Sequence, residues 1–161
     1  MRLAGLVALG VFVLDQASKY AVVHGMELDR RIAVDVWPPF LNFRMAWNQG
    51  VNFGLFSGES DTTRWILIAV SLLISAWVWI WSRKEASKPL VQISTGLLVG
   101  GALGNVIDRL VYGAVADFLN MSCCGFSNPY SFNVADITIF AGALGLALFS
   151  GDGTPKRRKT P

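Results

Sequence analysis

The chain has 161 residues, 53% of them hydrophobic and 16% charged, with a formal net charge of +3. One domain fits that length, and the apolar excess excludes an ordinary soluble globule in favour of an integral membrane protein. The basic residues form no stripe that a nucleic acid would bind; Arg83, Lys84 and Lys88 flank apolar segments and others crowd into 156–159, which suits the positive-inside rule.

Residues 3–23 read as a first transmembrane helix, since 21 residues at about 1.5 Å each reach roughly 30 Å. Asp15, Gln16 and Lys19 within it, and the lack of a small-residue cleavage site after it, argue against a secretory signal. Asp15 and Lys19 are four apart and share a helix face, where they can partly neutralise each other. The spacing leaves a structural ion pair and a role in a site equally open.

From 24 to 61 the period changes. Ile32, Val34 and Val36 alternate with Ala33 and Asp35, then Leu41, Phe43, Met45 and Trp47 alternate with Asn42, Arg44 and Ala46. That alternation predicts short strands, separated by Pro38 and Pro39 and followed by Gly50, Gly54 and Gly58, so a small β-rich platform is expected between helices 1 and 2. Its aromatic residues would rest on the lipid surface. His24, the single histidine, is expected at the interface, and without a second His neither a zinc site nor a His-based triad is expected.

A second helix is predicted over 62–82, with Ser60 or Asp61 as its N-cap and Trp77, Trp79 and Trp81 as an aromatic belt before Arg83 and Lys84. A third is predicted over 89–112, where Pro89 suits the first turn and Gly96, Gly100 and Gly104 form a small-residue ridge for close helix packing. On a helical wheel Gly101, Gly104, Asn105 and Asp108 fall within an arc of about 100°. Packing explains the glycines but not Asn105, Asp108 and Arg109. The adjacent Cys123 and Cys124 have neither a disulfide-framework nor a metal-site spacing and are expected to behave as small apolar residues.

In the last segment the purely apolar part, 137–149, has 13 residues and about 20 Å, too short to cross. Extending it back to Phe132 gives 18 residues and about 27 Å, and places Asn133 and Asp136 inside the helix near the membrane surface. The expected architecture is an all-α membrane protein of four spans (3–23, 62–82, 89–112 and 132–150) with a β-rich extracytoplasmic platform. The loops 24–61 and 113–131 would be extracytoplasmic. Arg2, residues 83–88 and the tail 151–161 would all be cytoplasmic, gathering Asn48, Asp108, Asp117, Asn133 and Asp136 at the outer face.

At that face the available catalytic groups are carboxylates. Two of them held close in a poorly hydrated site share a proton, so one can activate water while the other protonates the reacting group. Intramembrane carboxylates also relay ions, so a small transporter using Asp15, Asp108 and Asp136 stays open from the residues alone. An assembly factor without chemistry would leave the clustered aspartates unexplained.

Five segments in order carry a resemblance: Asp15-Gln16-Ala17-Ser18-Lys19, Asn48-Gln49-Gly50-Val51-Asn52-Phe53-Gly54, residues 100–109, residues 115–118, and residues 132–136. Together they make the chain similar to the bacterial lipoprotein signal peptidases, the signal peptidase II family, over nearly its whole length. The resemblance implies a membrane aspartic endopeptidase of the bacterial inner membrane that cuts prolipoproteins before a diacylglyceryl-modified cysteine. Asp117 and Asp136 would form the catalytic dyad. Asn48, Gly50, Asn105, Asp108, Arg109 and Asn133 would line the site, with Asp15 and Lys19 nearby. The implied partners are lipid-modified precursors and membrane lipids, with no cofactor, metal or nucleic acid. Asn52, where a small residue is usual, and the 121–128 insert depart from the family pattern.

Overall fold

The computed structural model describes residues 1–50 and 60–151. The expectations for Asn52, Gly54, Gly58 and the basic cluster at 156–159 lie outside the described residues. Helix α1, Arg2–Lys19, continues through a π-helical turn, Tyr20–Gly25, into the short helix α2, Leu28–Arg31. Strands β1, Ala33–Trp37, and β2, Leu41–Asn48, precede α3, Ser60–Ser82, and α4, Pro89–Tyr112. Strand β3, Val115–Asn120, and helix α5, Val134–Phe149, complete the order.

The fold is mostly helical, and α4 is its hub: it packs against α1, α3 and α5. In α1 the buried residues Ala4, Ala8, Val11, Asp15 and Lys19 recur every three or four positions, so one stripe faces inward. That stripe meets the glycine ridge in parallel. A Cβ on Gly96 would lie 2.7 Å from the Ala4 carbonyl, one on Gly100 would lie 2.5 Å from that of Ala8, and one on Gly104 would strike the Asp15 carboxylate. On another face of α4, a Cβ on Gly101 would approach the Ala135 carbonyl of α5 to 2.6 Å. Small residues therefore set both helix separations, as in membrane bundles where backbones must approach closely.

Leu6, Leu9, Leu73, Ile80 and Phe140 point outward and stay exposed, a pattern suited to lipid rather than water. Three helices, Arg2–Gly25, Asp61–Glu85 and Pro89–Tyr112, are long and apolar enough to cross a membrane. The fourth apolar helix, α5, has 16 residues, about 24 Å. It starts at Val134 rather than Phe132, because Asn133 is its N-cap: the Asn133 side chain accepts from the Asp136 N–H, while the Asp136 carboxylate accepts from the Asn133 N–H. Likewise α3 begins at Ser60, which puts Asp61 inside the first turn instead of at the cap.

The two predicted strands form, and a third joins them in an antiparallel sheet of order β1-β2-β3. The third was expected to be loop. It is covered on both faces, with Val115, Ala116, Asp117 and Phe118 all buried, so it lacks the alternation that marks a one-sided strand. Phe43 of β2 meets Phe118 of β3 edge to face at 5.7 Å between centroids, and with Val22 and Leu28 this forms a small core under the sheet. The cysteines differ from expectation too: Cys123 and Cys124 are joined as a disulfide rather than lying free.

Candidate active site

The end of β2 and the start of α5 each present a polar group to Asp117. In the β2–β3 pairing Ala46 stands opposite Asp117, so Asn48, two residues along on the same face, is its diagonal neighbour. Asn48 Nδ2 donates to Asp117 Oδ2 at 3.1 Å, and the Gly50 N–H donates to Asn48 Oδ1 at 3.0 Å. Gly50 has φ of +109°, and a Cβ there would lie 2.5 Å from Leu67 Cδ1, so glycine is required for this turn.

The other oxygen of Asp117 is held by Asn133, whose Nδ2 donates to Oδ1 at 2.6 Å. Because Asn133 also caps α5 against Asp136, one fully buried amide bridges the two aspartates. From α4, Asn105 Nδ2 donates to Asp136 Oδ1 at 3.1 Å, while Asn105 Oδ1 accepts from Asn133 Nδ2 at 3.3 Å. Asp117, Asn133, Asn105 and Asp136 thus form one connected network.

Beneath it lies a buried charge cluster. Lys19 Nζ contacts Asp15 Oδ2 at 2.8 Å, Asp108 Oδ2 at 2.7 Å and Asn105 Oδ1 at 3.1 Å, which accounts for all three of its donors. Asp15 is fully buried, and its Oδ1 accepts from the Ala135 N–H at 2.9 Å. Asp108 Oδ2 accepts from the Ala116 N–H at 3.2 Å. Asp15 and Asp108 therefore grip the residues immediately preceding Asp136 and Asp117. Burying an ion cluster is tolerable only with such complete pairing.

The sequence reading noted Gln16 but gave it no role in the site; its Nε2 donates to Asp108 Oδ1 at 2.9 Å, Asp15 Oδ2 at 3.2 Å and the Gly104 carbonyl at 3.3 Å. Its place between Asp15 and Lys19 on an otherwise apolar helix was the available signal. Arg109 makes no described hydrogen bond to either Asp117 or Asp136: its Nη1 donates to the Asn105 carbonyl at 3.3 Å, and its buried Nε has no partner among the described residues.

Asp117 lies on β3, outside the membrane-crossing helices, and is 3% exposed. Burial pushes its carboxyl up to about 6, with the charge of Asp136 adding to the rise; hydrogen bonds from Asn48 and Asn133 and the charge of Lys19 pull the other way. A cavity of about 380 Å³ opens beside it, lined by Trp47, Asn48, Gly50, Asp117, Tyr130 and Ser131 among others. An amide segment entering there would meet the Asp117 carboxyl, which holds its proton into mildly acidic pH.

Known proteins resemble this chain over nearly its full length. A family model described as signal peptidase (SPase) II matches residues 7–150. The lipoprotein signal peptidase of Methylobacterium radiotolerans is 45% identical over 159 residues, covering 96% of this chain and 90% of that protein. That of Methylorubrum extorquens is 43% identical, covering 98% and 91%. A solved bacterial membrane enzyme, determined by the in meso method at 1.9 Å, superposes with a TM-score of 0.78 at 28% identity over 92% of each chain.

Proposed function

The chain belongs to the signal peptidase II family, and from that premise we propose that Asp117 and Asp136 are the aspartic dyad with which it removes signal peptides from prolipoproteins. It is a protease of lipoprotein processing and a multi-pass inner-membrane protein. The transporter reading has no support: the relatives are peptidases, and Asp15 and Asp108 are spent on Lys19 rather than spaced as a relay.

The observation that carries the dyad is Asn133, bonded to the side chain of Asp117 and to the cap of Asp136, so that the two carboxyls are held as one unit. In the proposed reaction the pair shares one proton, carried by Asp117 as the step begins. Asp136 takes a proton from a water as its oxygen attacks the scissile carbonyl carbon, and Asp117 gives its proton to the carbonyl oxygen. As the C–N bond of the tetrahedral intermediate breaks, Asp136 passes its proton to the leaving nitrogen and Asp117 takes one back from a hydroxyl of the intermediate as the C=O bond re-forms, which returns the dyad to its starting state. Asn48 and Arg109 border the dyad and would hold substrate backbone, while Gly50 keeps the turn beside Asn48 open. Lys19, Asp15, Asp108 and Asn105 hold the frame.

The proposal extends to topology. Four spans with both termini cytoplasmic place the sheet and the dyad at the outer face, with tail residues 151–161 inside. A substrate whose acyl chains stay in the bilayer would then present its amide at the depth of the dyad, just before a diacylglyceryl-modified cysteine. The test is cleavage by the purified protein of one precursor prepared with and without the diacylglyceryl group, read by intact mass. The expected product begins at the modified cysteine and forms only from the lipidated precursor; equal cleavage of both forms, or a cut elsewhere, contradicts the proposal.

A further inference from the structure

The polar site uses only one end of α1 and α4. A second feature lies on another face of both helices: an apolar cavity of about 480 Å³ between α1, α3 and α4, lined by Gly5, Leu9, Phe12, Trp79, Leu103 and Ile107 among others. Leu9 is 61% exposed, so the cavity is a groove open to the lipid phase and not a sealed void. A Cβ on Gly5 would stand 3.9 Å from the nearest Trp79 ring carbon, an ordinary contact, so α1 and α3 face each other across this end of the groove.

The residues one turn beyond Gly5 and Trp79 are basic. Arg2, Gly5, Leu9 and Phe12 follow a three-four-three spacing and lie on one face of α1, so Arg2 continues the lining stripe by one turn. After α3 the chain enters a 3-10 turn, Arg83–Glu85, whose first residue stands four positions beyond Trp79 at the same end of the groove as Arg2. Arg2, Arg83 and Lys84 are exposed and make no ion pair among the described residues. The nearby acid, Glu85, is already engaged by Lys88 at 3.2 Å, and Lys88 also donates to the Gly151 carbonyl. Asp15 stands thirteen residues further along α1, about 20 Å away, so this rim is separate from the dyad.

We propose that this groove is a binding site for an anionic glycerophospholipid of the surrounding leaflet, one acyl chain lying along Leu9, Phe12 and Leu103 and the phosphate held between Arg2 and Arg83. The charge complementarity chooses the occupant. A purely apolar groove would take any acyl chain, whereas an arginine pair at its mouth favours a phosphate with no compensating ammonium, because guanidinium groups bind phosphate oxygens in a fork geometry. Positive charge near a membrane surface also serves topology, and that function requires no particular lipid.

The experiment is retention of lipid by the purified full chain, measured by native mass spectrometry after equilibration with dioleoyl phosphatidylglycerol or dioleoyl phosphatidylcholine, which share acyl chains. Two basic residues at a membrane surface predict a preference of about tenfold or more for phosphatidylglycerol. Arg2→Gln with Arg83→Gln should abolish the preference while leaving precursor cleavage unchanged, which shows that the double variant is folded. Leu9→Trp, which fills the groove from its lipid side, should lower retention of both lipids. Equal retention of the two lipids by the unaltered chain, or a preference that survives both sets of substitutions, overturns the proposal and leaves the arginines as orientation signals only.

Discussion

Replacing Asn133 by Ser separates the two things this amide does. A serine hydroxyl still accepts from the Asp136 N–H and preserves the helix cap, but it cannot supply the donor that sits 2.6 Å from Asp117 Oδ1. That bond favours the ionised carboxylate, so its loss favours the protonated form. A hydrogen bond to a charged group contributes about 1.5–3 kcal/mol, and about 1.4 kcal/mol corresponds to one pH unit. Asp117, already pushed up to about 6, should therefore keep its proton roughly one to two pH units higher in the variant. If the singly protonated dyad is the working form, the alkaline limb of the cleavage rate moves upward by that amount. The assay is initial-rate cleavage of a lipidated precursor across pH by both proteins, with thermal midpoints measured alongside. Asn133→Ala provides the contrast, because it loses the cap as well, at about 1 kcal/mol of stability. An alkaline limb that stays in place, or moves down, in a folded Asn133→Ser variant refutes the coupling of Asn133 to Asp117.

Lys19→Met leaves the buried Asp15 and Asp108 without their cation and should cost about 3–5 kcal/mol, seen as a large drop in thermal midpoint; a near-unchanged midpoint would mean the cluster does not hold α1 to α4. Gly104→Ala places a methyl against the Asp15 carboxylate and should destabilise by about 1–3 kcal/mol, whereas Gly10→Ala, with nothing within 4 Å, should not; equal effects would contradict the close approach of α1 and α4. Asp117 carries a folded-state pKa raised from 3.8 to about 6, so it contributes stability that is fully present below the unfolded value and is lost as pH rises through the folded one. Between about pH 4 and pH 6 the unaltered protein should therefore lose thermal stability relative to Asp117→Asn, and parallel curves would show that burial does not hold the proton there.

Much of this arrangement was legible because it follows helical spacing. Asp15 and Lys19, four apart, do share a face and pair, and the glycine ridge with Asn105 and Asp108 does point at α1 and α5. Both alternatives left open for Asp15 and Lys19 turn out compatible, since their ion pair also fixes Ala135 and Asn105 beside the candidate dyad. What spacing does not disclose is pairing between distant segments. Strand β3 brings Asp117 beside Asn48 across 69 positions, and its two-sided burial erased the alternation that would have announced it. Counting apolar residues extended the last helix to Phe132, because hydropathy has no sense of a cap, whereas Asn133 ends the extended chain by turning its side chain onto Asp136. Arg109 was grouped with the site by motif, yet its described hydrogen bond is to the backbone of its own helix.

The central claim is that Asp117 and Asp136 act as one catalytic unit, and single and double Asp→Asn replacement tests it most directly. Asn keeps the shape of Asp but can neither take a proton from water nor share one with its partner. Cleavage of a diacylglyceryl-modified precursor should be abolished by Asp117→Asn and by Asp136→Asn, and the double variant should be scarcely worse than either, because groups that act together are strongly non-additive. Lipid-dependent cleavage at a substantial fraction of the original rate by a folded Asp136→Asn variant contradicts the account.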